Sequence, residues 1–112
     1  MLSKNNTLLS VLPSRQLEIV GQQYLLNIID RRDTVPNGWR FQLQNKREGG
    51  LVPGGFKLRL ATESRGSLSE AEAVATKAQQ RLYIDVVLQP ETTVVWEIEP
   101  LPDNYQREIL IF

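Results

Sequence analysis

The sequence predicts a mainly β protein: a compact antiparallel β-sandwich of about seven strands with at most one short helix. Three observations carry this. Apolar and polar residues alternate with period two along Trp39–Gln44, Phe56–Ala61, Leu82–Leu88 and Val94–Glu99, as half-buried strands do. Residues with turn chemistry separate these runs: Pro36-Asn37-Gly38, Gly49-Gly50, Pro53-Gly54-Gly55 and Pro90-Glu91. The aromatic residues Trp39, Phe56 and Trp96 fall on the apolar parity. One flat sheet would leave them on an open face, and two packed sheets bury them. The 112 residues, 41% hydrophobic and 23% charged, suit one globular domain rather than a disordered chain.

Residues 1–13 read as an N-terminal arm. Asn5, Asn6 and Thr7 are poor element formers, and Pro13 ends the short apolar cluster Leu8–Leu12. Residues 14–112 form the sandwich. Within 15–32, Leu17, Val20, Tyr24, Leu25, Ile28 and Ile29 fit a helical spacing. Gly21 interrupts that spacing, and the β-branched Ile19, Val20, Ile28 and Ile29 favour two strands, Gln16–Val20 and Gln23–Asp30. The stretch 68–80 also reads two ways. Ser67 with Glu70, or Ser69 with Glu72, would make a helix-capping box, and Ala and Glu are good helix formers. Ala71, Ala73 and Ala75 alternate with Glu70, Glu72, Val74 and Thr76, and the surrounding strands favour the second arm of a hairpin. Gln106–Phe112 reads as a terminal strand with Ile109 and Ile111 on one face and Leu110 and Phe112 on the other. Such a strand needs cover on both faces, which marks Leu110 and Phe112 as interface candidates.

Thirteen Lys and Arg balance thirteen Asp and Glu, so bulk charge points to neither nucleic acid nor an acidic membrane. The balance hides an asymmetry. Residues 1–60 carry nine basic and four acidic side chains, and residues 61–112 carry four basic and nine acidic. If the strands at 39–44 and 56–61 pair, Arg40, Lys57 and Arg59 share an outer face, with Lys46 and Arg47 in the loop between them. These five residues are the candidate anion-binding platform. Two plainer readings stand beside it. Outward strand positions are ordinarily polar and solvated, and the acidic second half can pair with the basic first half across the sandwich. Trp39, Phe41 and Phe56 share the core parity, which argues against base stacking.

The chain contains no Cys and no His. That removes disulfides, thiolate and imidazole catalysis, and the usual zinc and copper ligand sets. Glu70/Glu72 and Glu97/Glu99 each place two carboxylates roughly 7 Å apart on one strand face, but no calcium-loop pattern surrounds them. The glycines at 49–50 and 54–55 lack the Lys-Ser/Thr of a phosphate-binding loop and precede a strand. Asp30-Arg31-Arg32-Asp33 reads as a salt-bridged turn. No catalytic residue, metal or cofactor is expected. No apolar run approaches the ~18–20 residues that span a bilayer, and Leu8–Leu12 is too short for a secretory core, so a cytoplasmic protein is expected.

The run Pro53-Gly54-Gly55-Phe56-Lys57-Leu58-Arg59-Leu60, the Glu/Ala stretch Glu70–Ala75 and the strands Leu82–Leu88 and Val94–Ile98 together resemble the C-terminal β-rich module of an uncharacterised cyanobacterial protein family. The likeness covers residues 51–99. The segment Pro102-Asp103-Asn104-Tyr105 and the strand after it depart from the pattern. The resemblance implies a small β-sandwich interaction module from a cyanobacterium and transfers no functional residue. The functional expectation is a non-enzymatic module that binds another protein or itself. The alternative is an anion or nucleic-acid binder using the basic residues named above.

Overall fold

A computed structural model describes residues 14–112; the expected arm at 1–13 lies outside the described residues. Eight strands form: β1 (Arg15–Ile19), β2 (Gln22–Asp30), β3 (Gly38–Asn45), β4 (Lys57–Ser64), β5 (Ser67–Val74), β6 (Arg81–Val87), β7 (Thr93–Glu99) and β8 (Leu110–Ile111). They build two four-stranded sheets in the orders β1-β2-β3-β6 and β5-β4-β7-β8, with every neighbouring pair antiparallel. This is a β-sandwich, and no helix occurs among the described residues.

Both ambiguous stretches resolve to strands rather than helices, the second of them only as far as Val74, with 75–80 irregular. Residues 15–30 fold as the β1–β2 hairpin around Val20-Gly21, and β5 is the second arm of a hairpin around Arg65-Gly66. Both two-residue turns have positive φ at both positions, the type I′ pattern whose twist matches that of the flanking strands. Gly fills the second position of each without a Cβ penalty. Helix propensity loses at 67–74 because β4 supplies a full ladder. The small Ala71 and Ala73 then face inward opposite Leu60 and Leu58, packed against the core.

The inward positions of both sheets merge into one apolar interior. Leu17, Ile19, Tyr24, Leu26, Ile28, Trp39, Phe41 and Leu43 come from one sheet, and Leu58, Leu60, Val94, Trp96 and Ile98 from the other. Tyr24 meets Phe56 with ring centroids 5.5 Å apart, across the interior. Burial raises the Tyr24 phenol above its ordinary value, only partly offset by the charge of Arg47.

Two expectations need correction. Strands 39–44 and 56–61 do not pair: β3 lies between β2 and β6, and β4 between β5 and β7. Each is an interior strand whose two edges are already filled, so the connection between them crosses from one sheet to the other. The terminal strand is also far shorter than 106–112, with only Leu110 and Ile111 in the ladder. Leu110 and Phe112, the interface candidates, turn inward against the core. Phe112 packs edge-on to Trp39 at 4.8 Å and against Phe41 at 6.0 Å. Ile109 and Ile111 are the exposed pair, at 57% and 74%.

Candidate functional site

The outer face of the β5-β4-β7-β8 sheet carries Lys57 and Arg59. The register sets Lys57 between Val74 and Glu99, and Arg59 between Glu72 and Glu97. Arg59 reaches Glu97 at 3.1 Å, Glu72 at 3.4 Å and Glu99 at 3.7 Å, while Lys57 lies 3.8 Å from Glu72 and 3.9 Å from Glu99. Both acidic pairs singled out in the sequence therefore share this face, and three of their four carboxylates neutralise its cations.

Arg40 lies on the opposite outer face, that of β1-β2-β3-β6. It contacts Asp85 at 2.6 Å and stacks over the Tyr83 ring at 4.0 Å, and Arg31 approaches the same carboxylate at 3.3 Å. The hydrogen bond from Arg40 holds the Asp85 carboxyl below its ordinary value against the opposing effect of burial. Asp30 is likewise lowered, first by its side-chain bond from Arg32, which itself sits over Trp39 at 4.8 Å. The 30–33 cluster thus contains the salt bridge expected of its turn.

The structure does not bring the five basic candidates onto one platform. Arg40 is separated by the sandwich from Lys57 and Arg59, and all three are ion-paired. First-half cations do meet second-half carboxylates, as one plain reading held: on the outer faces the contacts run between neighbouring strands of one sheet, and Arg15 of β1 reaches Glu108 of the closing segment at the edge of the sandwich. Cross-strand neighbours on a face lie about 5 Å apart, whereas packed sheets stand about 10 Å apart with apolar filling.

Lys46 and Arg47 differ from the other three. Both are exposed and make no ion pair among the described residues. The buried Asn45 shapes the loop that presents them: its Nδ2 donates to the Leu51 carbonyl at 3.1 Å, and its Oδ1 accepts the Arg47 N–H at 2.9 Å. Arg81, at the start of β6, lines the same open depression together with Gln44 and Gln80. Sequence reasoning missed Arg81 because its closeness to Lys46 depends on the β3–β6 pairing.

The two lateral sides of the sandwich contrast more sharply than its faces. Along β1, the main-chain groups of Gln16 and Glu18 point away from β2. Asn104 Nδ2 donates to the Gln16 carbonyl at 3.0 Å, the Glu18 N–H donates to Asn104 Oδ1 at 3.1 Å, and Asp103 N–H donates to the Glu18 carbonyl at 2.7 Å. On the β7 edge, Phe112 N–H donates to the Thr92 carbonyl at 2.9 Å, and the Tyr105 hydroxyl donates to the Trp96 carbonyl at 3.0 Å. Glu108 ties the two edges together: it accepts from Arg15 Nε at 2.6 Å and from the Trp96 indole at 2.7 Å. The Arg15 bond, with help from Trp96, holds its carboxyl below the ordinary 4.5 despite partial burial.

Among the described residues, the β5/β6 side has no such seal. Leu88 N–H donates to the Asn37 carbonyl, which fixes the parity of the β3–β6 ladder: the main-chain groups of Leu82, Ile84 and Val86 turn toward β3. Those of Arg81, Tyr83, Asp85 and Val87 turn outward, and among the described residues only the Arg81 carbonyl has a partner there, Gln79 Nε2 at 2.6 Å. By the same alternation Leu68, Glu70, Glu72 and Val74 turn their main chain away from β4. A cleft of about 170 Å³ lies at the end of β6, lined by Arg31, Val35, Trp39, Asp85 and Val87 among others.

The geometry defines an all-β sandwich domain with ion-paired outer faces, one sealed side and one open side. The chain belongs to the family described as "Protein of unknown function (DUF1822)", whose profile matches residues 8–111. The match takes in both sheets, Pro102–Tyr105 and the closing strand as far as Ile111. Comparisons with curated proteins and with solved structures gave no match. No helix among the described residues is long and apolar enough to cross a membrane, and no described group of three or more acidic side chains is placed to hold a metal ion.

Proposed function

We propose that this chain is a non-enzymatic protein-interaction or assembly module of the cyanobacterial cytoplasm. The observation that carries the reading is the open β5/β6 side. Unpaired strand edges template further strands, and proteins ordinarily blunt or cover them. Among the described residues, one side is covered in detail by a dedicated segment and the other is left bare, with Leu68 80% and Val87 56% exposed. The absence of Cys and His from the sequence and the engagement of Glu72, Glu97 and Glu99 in ion pairs support the non-enzymatic part. The cyanobacterial source rests on the pattern at 51–99.

The test is the native size of the chain in extracts of its host. A complex larger than the free chain, released by Val87→Lys or Leu68→Lys but not by Ile111→Lys, is expected. A chain that migrates at its own size in extract overturns the reading.

A second reading is favoured by one observation: Lys46 and Arg47 make no ion pair among the described residues and sit on a loop held by Asn45, in a depression they share with Arg81 and a single carboxylate, Glu48. This corner could take an acidic group of a partner, a phosphate or a nucleic-acid backbone. Fluorescence anisotropy with single- and double-stranded oligonucleotides should show binding that weakens as salt rises and with Lys46→Glu. Absence of binding at low salt ends the nucleic-acid version.

A further inference from the structure

We infer that the occupant of the open β6 edge is a second copy of this chain, paired antiparallel about a two-fold axis through Tyr83. The inference rests on the interaction reading above and names its partner. The outward-turned main-chain groups belong to Arg81, Tyr83, Asp85 and Val87. Placing Tyr83 opposite Tyr83 sets Arg81 of each copy opposite Asp85 of the other, because the two charges stand two residues on either side of the centre. Opposite charges directly across an antiparallel pair stabilise it, and like charges destabilise it. Arg81 has no ion-pair partner among the described residues, so it is available for this contact. The strand is charge-palindromic, a property that a two-fold partner uses and a foreign peptide does not require.

The neighbouring open edge does this less well. Registers of β5 centred on Glu70, Ala71 or Glu72 set carboxylates of the two copies opposite each other. Registers slipped toward either end instead face Glu70 with Leu68, or Glu72 with Val74, and gain no opposite-charge pair. Of the two open edges, β6 is the one whose central register pairs opposite charges. Pairing at β6 would join two four-stranded sheets into one of eight strands. It would also bring together the exposed Tyr83 rings, each already backed by its own Arg40. The Gln79 side chain on the Arg81 carbonyl must swing aside to free that carbonyl.

Light scattering on the purified full chain over a concentration series should show a monomer–dimer equilibrium. Arg81→Glu alone and Asp85→Lys alone should each weaken it at least about tenfold, by facing like charges. An equimolar mixture of the two should restore it as a heterodimer, since both cross-pairs are then complementary. Asp85→Lys also removes the partner of Arg40 and Arg31, so a second measurement is independent of it. The chain has no native Cys. Tyr83→Cys should cross-link to a disulfide dimer under mild oxidation, because facing hydrogen-bonded residues have Cα atoms about 5.5 Å apart, within disulfide reach. Val20→Cys should not. A purified chain that stays monomeric, with no preferential Tyr83→Cys cross-link, overturns the self-pairing. If that chain still runs in a larger complex in extract, released by Val87→Lys, the interaction reading survives; if it is monomeric there too, both fall.

Discussion

The two lateral sides of the sandwich solve the same problem in opposite ways. Each exposes two strand edges, and each edge presents unpaired N–H and C=O groups. On the β1/β7 side the chain satisfies them itself: Asn104 and Asp103 on β1, Tyr105 and Phe112 on β7, and Glu108 bridging Arg15 and Trp96. On the β5/β6 side the described residues leave most of them without a main-chain or side-chain partner. The lesson is that edge exposure is chosen strand by strand. The closing segment gives up most of a terminal strand in order to seal one side.

Several substitutions would break or sharpen this contrast. The largest expected effect is on the sealed side. Trp96→Ala removes a buried indole, its edge contact with Tyr105 at 5.2 Å and its bond to Glu108, and should cost about 3–5 kcal/mol in denaturant titration. Glu108→Ala should cost about 1–2 kcal/mol after allowance for solvent screening. It should also expose the amide of Glu18 to faster hydrogen exchange while leaving the β5 and β6 amides unchanged.

Acid should act in the same place. The Glu108 carboxyl is lowered in the folded state, so its contribution is fully present above the ordinary value of 4.5. It is lost as pH falls through the lowered folded value. The sealed side of the wild-type chain should therefore loosen progressively below about pH 4.5, and Glu108→Ala should flatten that part of the stability-against-pH curve.

The two hairpin turns provide a smaller probe. Val20 occupies a left-handed position at φ 49°, where a β-branched side chain is strained. Because Val20 is 74% exposed, Val20→Asn should stabilise the β1–β2 hairpin by about 1 kcal/mol, raising the melting temperature. The smallest stability effect is expected on the open side. Val87→Lys should change folding stability by less than about 0.5 kcal/mol while abolishing self-association. A large loss of stability there would mean that the edge is structural.

Much of the fold is legible in the residues. The alternation at Trp39–Gln44, Leu82–Leu88 and Val94–Glu99 marks real strands because a side chain's face is set by its own strand's pleat. The β-branched residues around Gly21 mark the first hairpin for the same local reason. The candidate sites were legible only in part. The outward parity of Arg40, Lys57 and Arg59 was correct, but their grouping assumed that β3 and β4 are neighbours. The inward turn of Leu110 and Phe112 was missed because the cover that such a strand needs comes from the chain's own interior. Arg81, Tyr83 and Asp85 carried no signal as a group, since nothing in a strand's sequence says whether its far edge is filled.

The sequence by itself determined which residues share a face along the period-two runs from Trp39 to Glu99, where the chain turns between them, and that imidazole and thiolate side chains are absent, because these follow from local pleat, φ preference and composition. Only the tertiary structure decided which strands are neighbours, which cations meet which carboxylates, and which side remains open. Those depend on contacts between residues far apart in the chain, where several pairings satisfy the same local pattern and only the shared packing of the whole interior selects one.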